Sequence, residues 1–96
     1  MRLISQDGMI DVSYENILLC IYDDDRAAAI KAYDSVSSSD FICMGLYETL
    51  EKAETVMKMV REEYKRFNSA TNNDDFYEFF DNPKVFRFPA DDEVEV

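Results

Sequence analysis

The sequence predicts an α+β fold: an antiparallel meander sheet of about four to five strands, with one long helix packed on a face and a short second helix. Three observations predict it. Apolar runs of strand length, NILLCIY and FICMGLY among them, alternate with short turn signals. One later stretch, TLEKAETVMKMVREEYKRFN, switches to helical period. The chain has 96 residues, 47% hydrophobic and 14% aromatic, which suits one domain with a modest core rather than an acidic disordered chain.

The elements follow in order. Asp7-Gly8 separates two short apolar segments, and glycine takes positive φ cheaply, so a small hairpin is expected, Leu3–Ser5 with Met9–Val12. Asn16–Tyr22 is rich in large apolar residues and short for a helix, which reads as a buried strand. Asp23-Asp24-Asp25-Arg26 is the next turn. In AAAIKAYDS the alanines favour helix, but the segment is short and lies between two turn signals, so it reads as strand. Ser37-Ser38-Ser39-Asp40 turns the chain into a further strand, Phe41–Tyr47.

Thr49 is placed to cap the long helix, with Glu51 and Glu54 near its positive end and Lys65 and Arg66 in its last turn. Leu50, Ala53, Met57, Val60, Tyr64 and Phe67 recur at steps of three or four and make one apolar stripe for the sheet. Glu54 with Lys58, and Glu62 with Arg66, have the spacing of intrahelical ion pairs. A linker, NSATNND, leads to a short helix, DDFYEFFDNP, stopped by Pro83, whose Phe76, Phe79 and Phe80 are expected on the core. Lys84–Phe88 reads as a last strand ended by Pro89. The expected organisation is a globular domain over residues 1–90 and an acidic tail over 91–96 that projects beyond it.

The charge is the strongest single signal. Twenty-one acids against 10 bases leave a net charge of −11. A broad positive face for nucleic acid is therefore not expected, nor is attraction to an anionic membrane surface, whereas a basic protein partner is favoured. No apolar run approaches the roughly 18 residues of a membrane helix. The start, MRLISQDG, has one basic residue and no long apolar stretch, which predicts no signal peptide and a cytoplasmic protein. Cys20 and Cys43 sit in apolar runs and read as reduced core residues.

Catalytic chemistry is sparse. There is no histidine, and with two glycines there is no glycine-rich phosphate loop. Cys20 and Cys43 lack zinc spacing, and Asp23-Asp24-Asp25 lacks the alternation and central glycine of a calcium loop. No metal or cofactor is expected, and the chain reads as a non-enzyme. Carboxylate-only acid–base chemistry would need two acids in unlike environments.

Two acidic clusters remain as partner-binding candidates. One is Asp23, Asp24 and Asp25 in a hairpin turn; the other is Asp91, Asp92, Glu93 and Glu95 at the end of the chain. Each has a plain alternative: a solvated turn for the first and a frayed terminus for the second. As a binding surface, carboxylates replace phosphates in an Arg- and Lys-lined groove, since arginine pairs with both in the same bidentate geometry.

The termini carry a resemblance. Ser5-Gln6-Asp7-Gly8, Ile10-Asp11, Tyr14-Glu15, Tyr47-Glu48-Thr49 with Lys52-Ala53, and Phe86 to Val96 resemble the ends and helix start of a group of small acidic proteins from Firmicutes phages, prophages and other mobile elements. Ser13 departs from that pattern, which has proline there. The resemblance covers about a third of the chain. It implies an accessory protein of a mobile element. Such proteins are similar in size and charge to anti-CRISPR inhibitors that block Cas9, whose basic channels hold guide RNA and target DNA. The implied function is an acidic protein-binding inhibitor with Cas9 as partner. The alternative is a self-associating structural or regulatory accessory protein, a possible homo-oligomer with no defence target.

Overall fold

The computed structural model describes residues 1–34, 41–70 and 85–95. The described residues form two three-stranded sheets and one long helix, an α+β arrangement. β1 (Arg2–Ile4), β2 (Asp11–Ser13) and β6 (Val85–Arg87) make the smaller sheet, in the order β2-β1-β6. β3 (Ile17–Asp23), β4 (Ala28–Asp34) and β5 (Phe41–Tyr47) make the larger one, a meander in sequence order. α1 spans Leu50–Ala70. The expected second helix, the Ser37–Asp40 turn and most of the linker lie outside the described residues.

The expected single meander is thus divided. β1 pairs antiparallel with β2, as the Asp7-Gly8 turn demands, and Gly8 takes a φ of 78°. The pairing with β6 is parallel and joins the two ends of the chain, Leu3 opposite Phe86. Short-range turn signals carry no information about such a long-range pair.

The Ser5–Gly8 turn is held by its own side chains. Ser5 is buried; its Oγ donates to Asp7 Oδ1 at 2.5 Å and accepts from the Ile10 amide at 3.1 Å. Asp7 Oδ1 also accepts from the Met9 amide. Gln6 reaches outward to the other sheet. Its side-chain amide pairs with both backbone groups of Leu46, at 3.2 and 3.0 Å, and donates to the Pro89 carbonyl at 3.1 Å. One residue therefore fastens the small sheet, the edge of β5 and the C-terminal segment.

On the larger sheet the inner face of β4, Ala28, Ile30 and Ala32, is closed by α1 and the smaller sheet. Strand β5 contains a bulge: Ile30 opposes Gly45 and Lys31 opposes Cys43, leaving Met44 as the extra residue. Met44 and Gly45 both face inward, and every later side chain changes face. Tyr47 therefore enters the core and Leu46 is left outside.

Thr49 caps α1 as expected, its Oγ1 accepting from the Lys52 amide at 3.2 Å. The apolar stripe is shifted from expectation. Ala53, Val56 and Val60 are buried, with Met57 and Tyr64 partly so, while Leu50 is exposed. Arg66 pairs with Glu63 at 3.7 Å rather than with Glu62. The cysteines also correct the sequence reading: both are free and exposed, on the sheet face away from α1. They lie in apolar runs because that outer face is itself apolar.

Candidate functional site

The larger sheet brings the two acidic clusters to one end of the molecule. Asp23, Ala28 and Tyr47 oppose one another across β3, β4 and β5. The Asp24–Ala27 turn and the exit of β5 into α1 therefore share that end. The C-terminal segment arrives at the same place, because Asp91 is fastened to the residues between β5 and α1.

Asp91 is the fastening. Its Oδ1 accepts from the Glu48 amide at 2.7 Å, and its Oδ2 accepts from Lys52 Nζ at 3.0 Å. Lys52 also donates to the Asp91 carbonyl at 3.1 Å. The carboxylate sits beside the first turn of α1, where the helix dipole favours negative charge. The Glu48 amide and then Lys52 hold its pKa below the ordinary aspartate value. Residues Asp91–Glu93 form a 3-10 turn closed by Glu93, whose carboxylate accepts from the Ala90 amide at 2.8 Å, and Val94 is buried in the core. The expected projecting tail is thus corrected: Asp91, Glu93 and Val94 belong to the fold.

The Asp24 carboxylate is also occupied. It accepts from the Arg26 and Ala27 amides at 2.8 and 3.1 Å, and those bonds lower its pKa. This is an aspartate closing its own turn. Asp23, Asp25, Asp92 and Glu95 are exposed, and their carboxylates make no hydrogen bond or ion pair among the described residues. So three of the seven candidate carboxylates are committed within the protein, and four are available to a partner. The exposed Glu48 and Glu51 add to this end and were not among the sequence candidates. Only the strand register and the docking of Asp91 reveal them.

Four carboxylates among the described residues depart from their ordinary pKa, all in the same direction. Asp7, Asp24 and Asp91 all lie below their ordinary values. Glu15 is pushed up by burial, yet the Met1 ammonium, 3.0 Å away, brings it below its ordinary value as well. A general acid needs the opposite shift. Open grooves of about 430 and 390 Å3 flank β3, lined largely by apolar side chains such as Leu19, Met57, Val12 and Ile42. Among the described residues no helix is long and apolar enough to cross a membrane.

No family model, curated protein or solved structure matches this chain.

The Asp91 contacts predict a pH dependence. A carboxyl whose pKa is lower in the folded than in the unfolded chain stabilises the fold above its unfolded value. That stabilisation is lost as pH falls through the folded value. Asp91→Asn is therefore expected to be less stable than wild type at pH 7. The gap should close as the pH drops below the ordinary aspartate value of 3.8. Urea titrations of both proteins at pH 7 and pH 2.5 check this. A gap of equal size at both pH values would show that the charge of Asp91 contributes nothing.

Proposed function

We propose that this chain is a non-enzymatic, acidic protein that binds the basic nucleic-acid groove of a host defence nuclease, most concretely a Cas9-type enzyme, as an anti-CRISPR accessory of a mobile element. One observation carries the reading: two acidic turns, far apart in sequence, lie at one end of the sheet, and the carboxylates of Asp23, Asp25, Asp92 and Glu95 have no partners among the described residues. Carboxylates on short side chains, held on a fixed sheet end, lose little rotamer freedom on docking. They pair with arginine as phosphates do. The resemblance of the chain ends to mobile-element proteins supports an inhibitor acting by occupancy.

The test is a Cas9 cleavage assay with the protein added before or after guide RNA. Inhibition only before guide loading indicates competition for the RNA channel; inhibition after it indicates the DNA site. The informative variant is Asp23→Asn, Asp25→Asn and Asp92→Asn together, because Asp91 and Glu93 also hold the fold. It should weaken inhibition at least about tenfold and flatten its salt dependence. No inhibition in either order, across several Cas9 types, would refute this reading.

A second reading, a self-associating accessory protein of a phage or mobile element, is favoured by the exposed apolar face of the larger sheet. Sedimentation velocity at micromolar concentrations separates the two.

A further inference from the structure

The outer face of the larger sheet has the composition of an interior. Leu18 and Tyr22 on β3 and Phe41 and Leu46 on β5 are exposed by 59, 57, 50 and 54%. Scattered singly, such residues are ordinary on a protein surface. Here they share one face of three adjacent strands, spaced by about 4.8 Å, and form a patch of the kind that marks interaction sites. The bulge at Met44 enlarges it by turning Leu46 outward.

Lys31 is the one cation these strands carry, and it stands between the two cysteine positions, Cys20 and Cys43. Its Nζ lies 3.9 Å from the Phe41 ring centroid and 4.3 Å from that of Tyr22. Its charge is thus directed onto the rings and toward Asp24, whose pKa it helps to lower. Beyond the end of β3 the patch borders the turn that carries Asp24 and the exposed Asp25, while Asp23 alternates to the core-facing side of the strand.

We propose that this face docks a basic amphipathic surface of a partner protein, its apolar side against Leu18, Tyr22, Phe41 and Leu46 and its Lys or Arg residues against the acidic turn around the exposed Asp25. The inference rests on the protein-binding reading above and adds an apolar contact to it. Charge complementarity selects the occupant. An apolar centre with an acidic border matches an apolar centre with a basic border. A second copy of this chain would set −11 against −11, and the same face of that copy offers only Lys31, already spent on its rings, and Arg26 within the acidic turn itself.

The probe is a dye-labelled helical peptide of leucine and lysine at amphipathic spacing, followed by fluorescence anisotropy. Its controls are polylysine of equal charge and a leucine–glutamate peptide of the same apolar pattern. The leucine–lysine peptide should bind at least about tenfold more tightly than polylysine, and the acidic peptide should not bind. Leu18→Ser with Leu46→Ser should weaken binding at least about tenfold. Met9→Ser, at an exposed position outside this sheet, should leave it unchanged. Both variants alter exposed side chains, and their thermal unfolding serves as the control for folding. Equal binding of polylysine, or indifference to the double serine variant, would overturn the proposal. So would a wild-type dimer that this variant converts to monomer. No nuclease enters this assay, so a negative Cas9 result leaves its outcome independent.

Discussion

Truncating Phe88 to alanine is expected to remove about 3–5 kcal/mol of stability, the usual cost of deleting a fully buried ring. Phe88 is 1% exposed, and its ring meets that of Phe86 edge-on at 5.4 Å. Its amide donates to the Ile4 carbonyl at 3.0 Å, continuing the parallel pairing of β6 with β1. Beyond it come Pro89, which accepts from Gln6 and Tyr47, and Asp91, which holds Glu48 and Lys52. The ring therefore anchors the whole C-terminal segment as well as its own cavity. A domain of this size typically has about 5–15 kcal/mol in total, so a loss of this order should lower the melting temperature by at least about 12 °C. Val85→Ala, at a position 53% exposed at the start of β6, should change stability by no more than about 0.5 kcal/mol. Thermal unfolding followed by circular dichroism compares the three proteins. A loss at Phe88→Ala as small as that expected at Val85→Ala would mean that the C-terminal segment is an ornament on a fold held elsewhere.

The legible parts of this fold were those set by neighbours in sequence. Asp7-Gly8 announced its turn, Thr49 its cap, and the apolar runs at 16–22 and 41–47 their strands, because turn chemistry, capping and strand length are local properties. What the sequence concealed depends on contacts across many residues. The parallel β1–β6 pair brings the chain ends together, and nothing in either segment specifies the other. The two cysteines illustrate a related failure. An apolar run suggests burial on both faces, yet Ile17, Leu19 and Ile21 face the core while Leu18, Cys20 and Tyr22 do not. Hydrophobicity alone cannot distinguish a buried face from an exposed apolar one.

The site was half legible for the same reason. Composition pointed to the acids, and both clusters proved to lie at one end of the sheet. Their division of labour was hidden. Asp24, Asp91 and Glu93 serve the fold, whereas Asp23, Asp25, Asp92 and Glu95 do not, and adjacent aspartates look identical in a sequence. The difference lies in which carboxylate meets a backbone amide, a matter of ångströms. The apolar half of the surface escaped notice because its residues were assigned to the core.

Placing a methyl group on Gly45 is the second change expected to have a large effect, and its sign is diagnostic. In an ordinary strand interior Gly→Ala would stabilise by about 0.5–1 kcal/mol. Here the new Cβ would lie 2.8 Å from Tyr47 Cε2 and 2.9 Å from its hydroxyl oxygen. The ring folds back over Gly45 because the bulge at Met44 puts both residues on the inner face. It has nowhere to retreat. Tyr47 is 1% exposed, and its hydroxyl donates to the Pro89 carbonyl at 2.8 Å. Burial, and then the charge of Asp91, push the Tyr47 pKa upward, so the hydroxyl keeps its proton and its donor role at every ordinary pH. Overpacking costs about 1–3 kcal/mol, and a displaced ring also forfeits a hydrogen bond worth about 1 kcal/mol. Gly45→Ala should therefore destabilise by about 2–4 kcal/mol and loosen the segment that carries Asp91. A double-mutant cycle with Tyr47→Val locates the cause. Once the ring is gone the alanine should cost little, giving a coupling of at least about 1 kcal/mol. Additive costs would instead assign Gly45 to the backbone of the bulge, and the C-terminal acids would then be held by Asp91 and Gln6 without help from the tyrosine clamp.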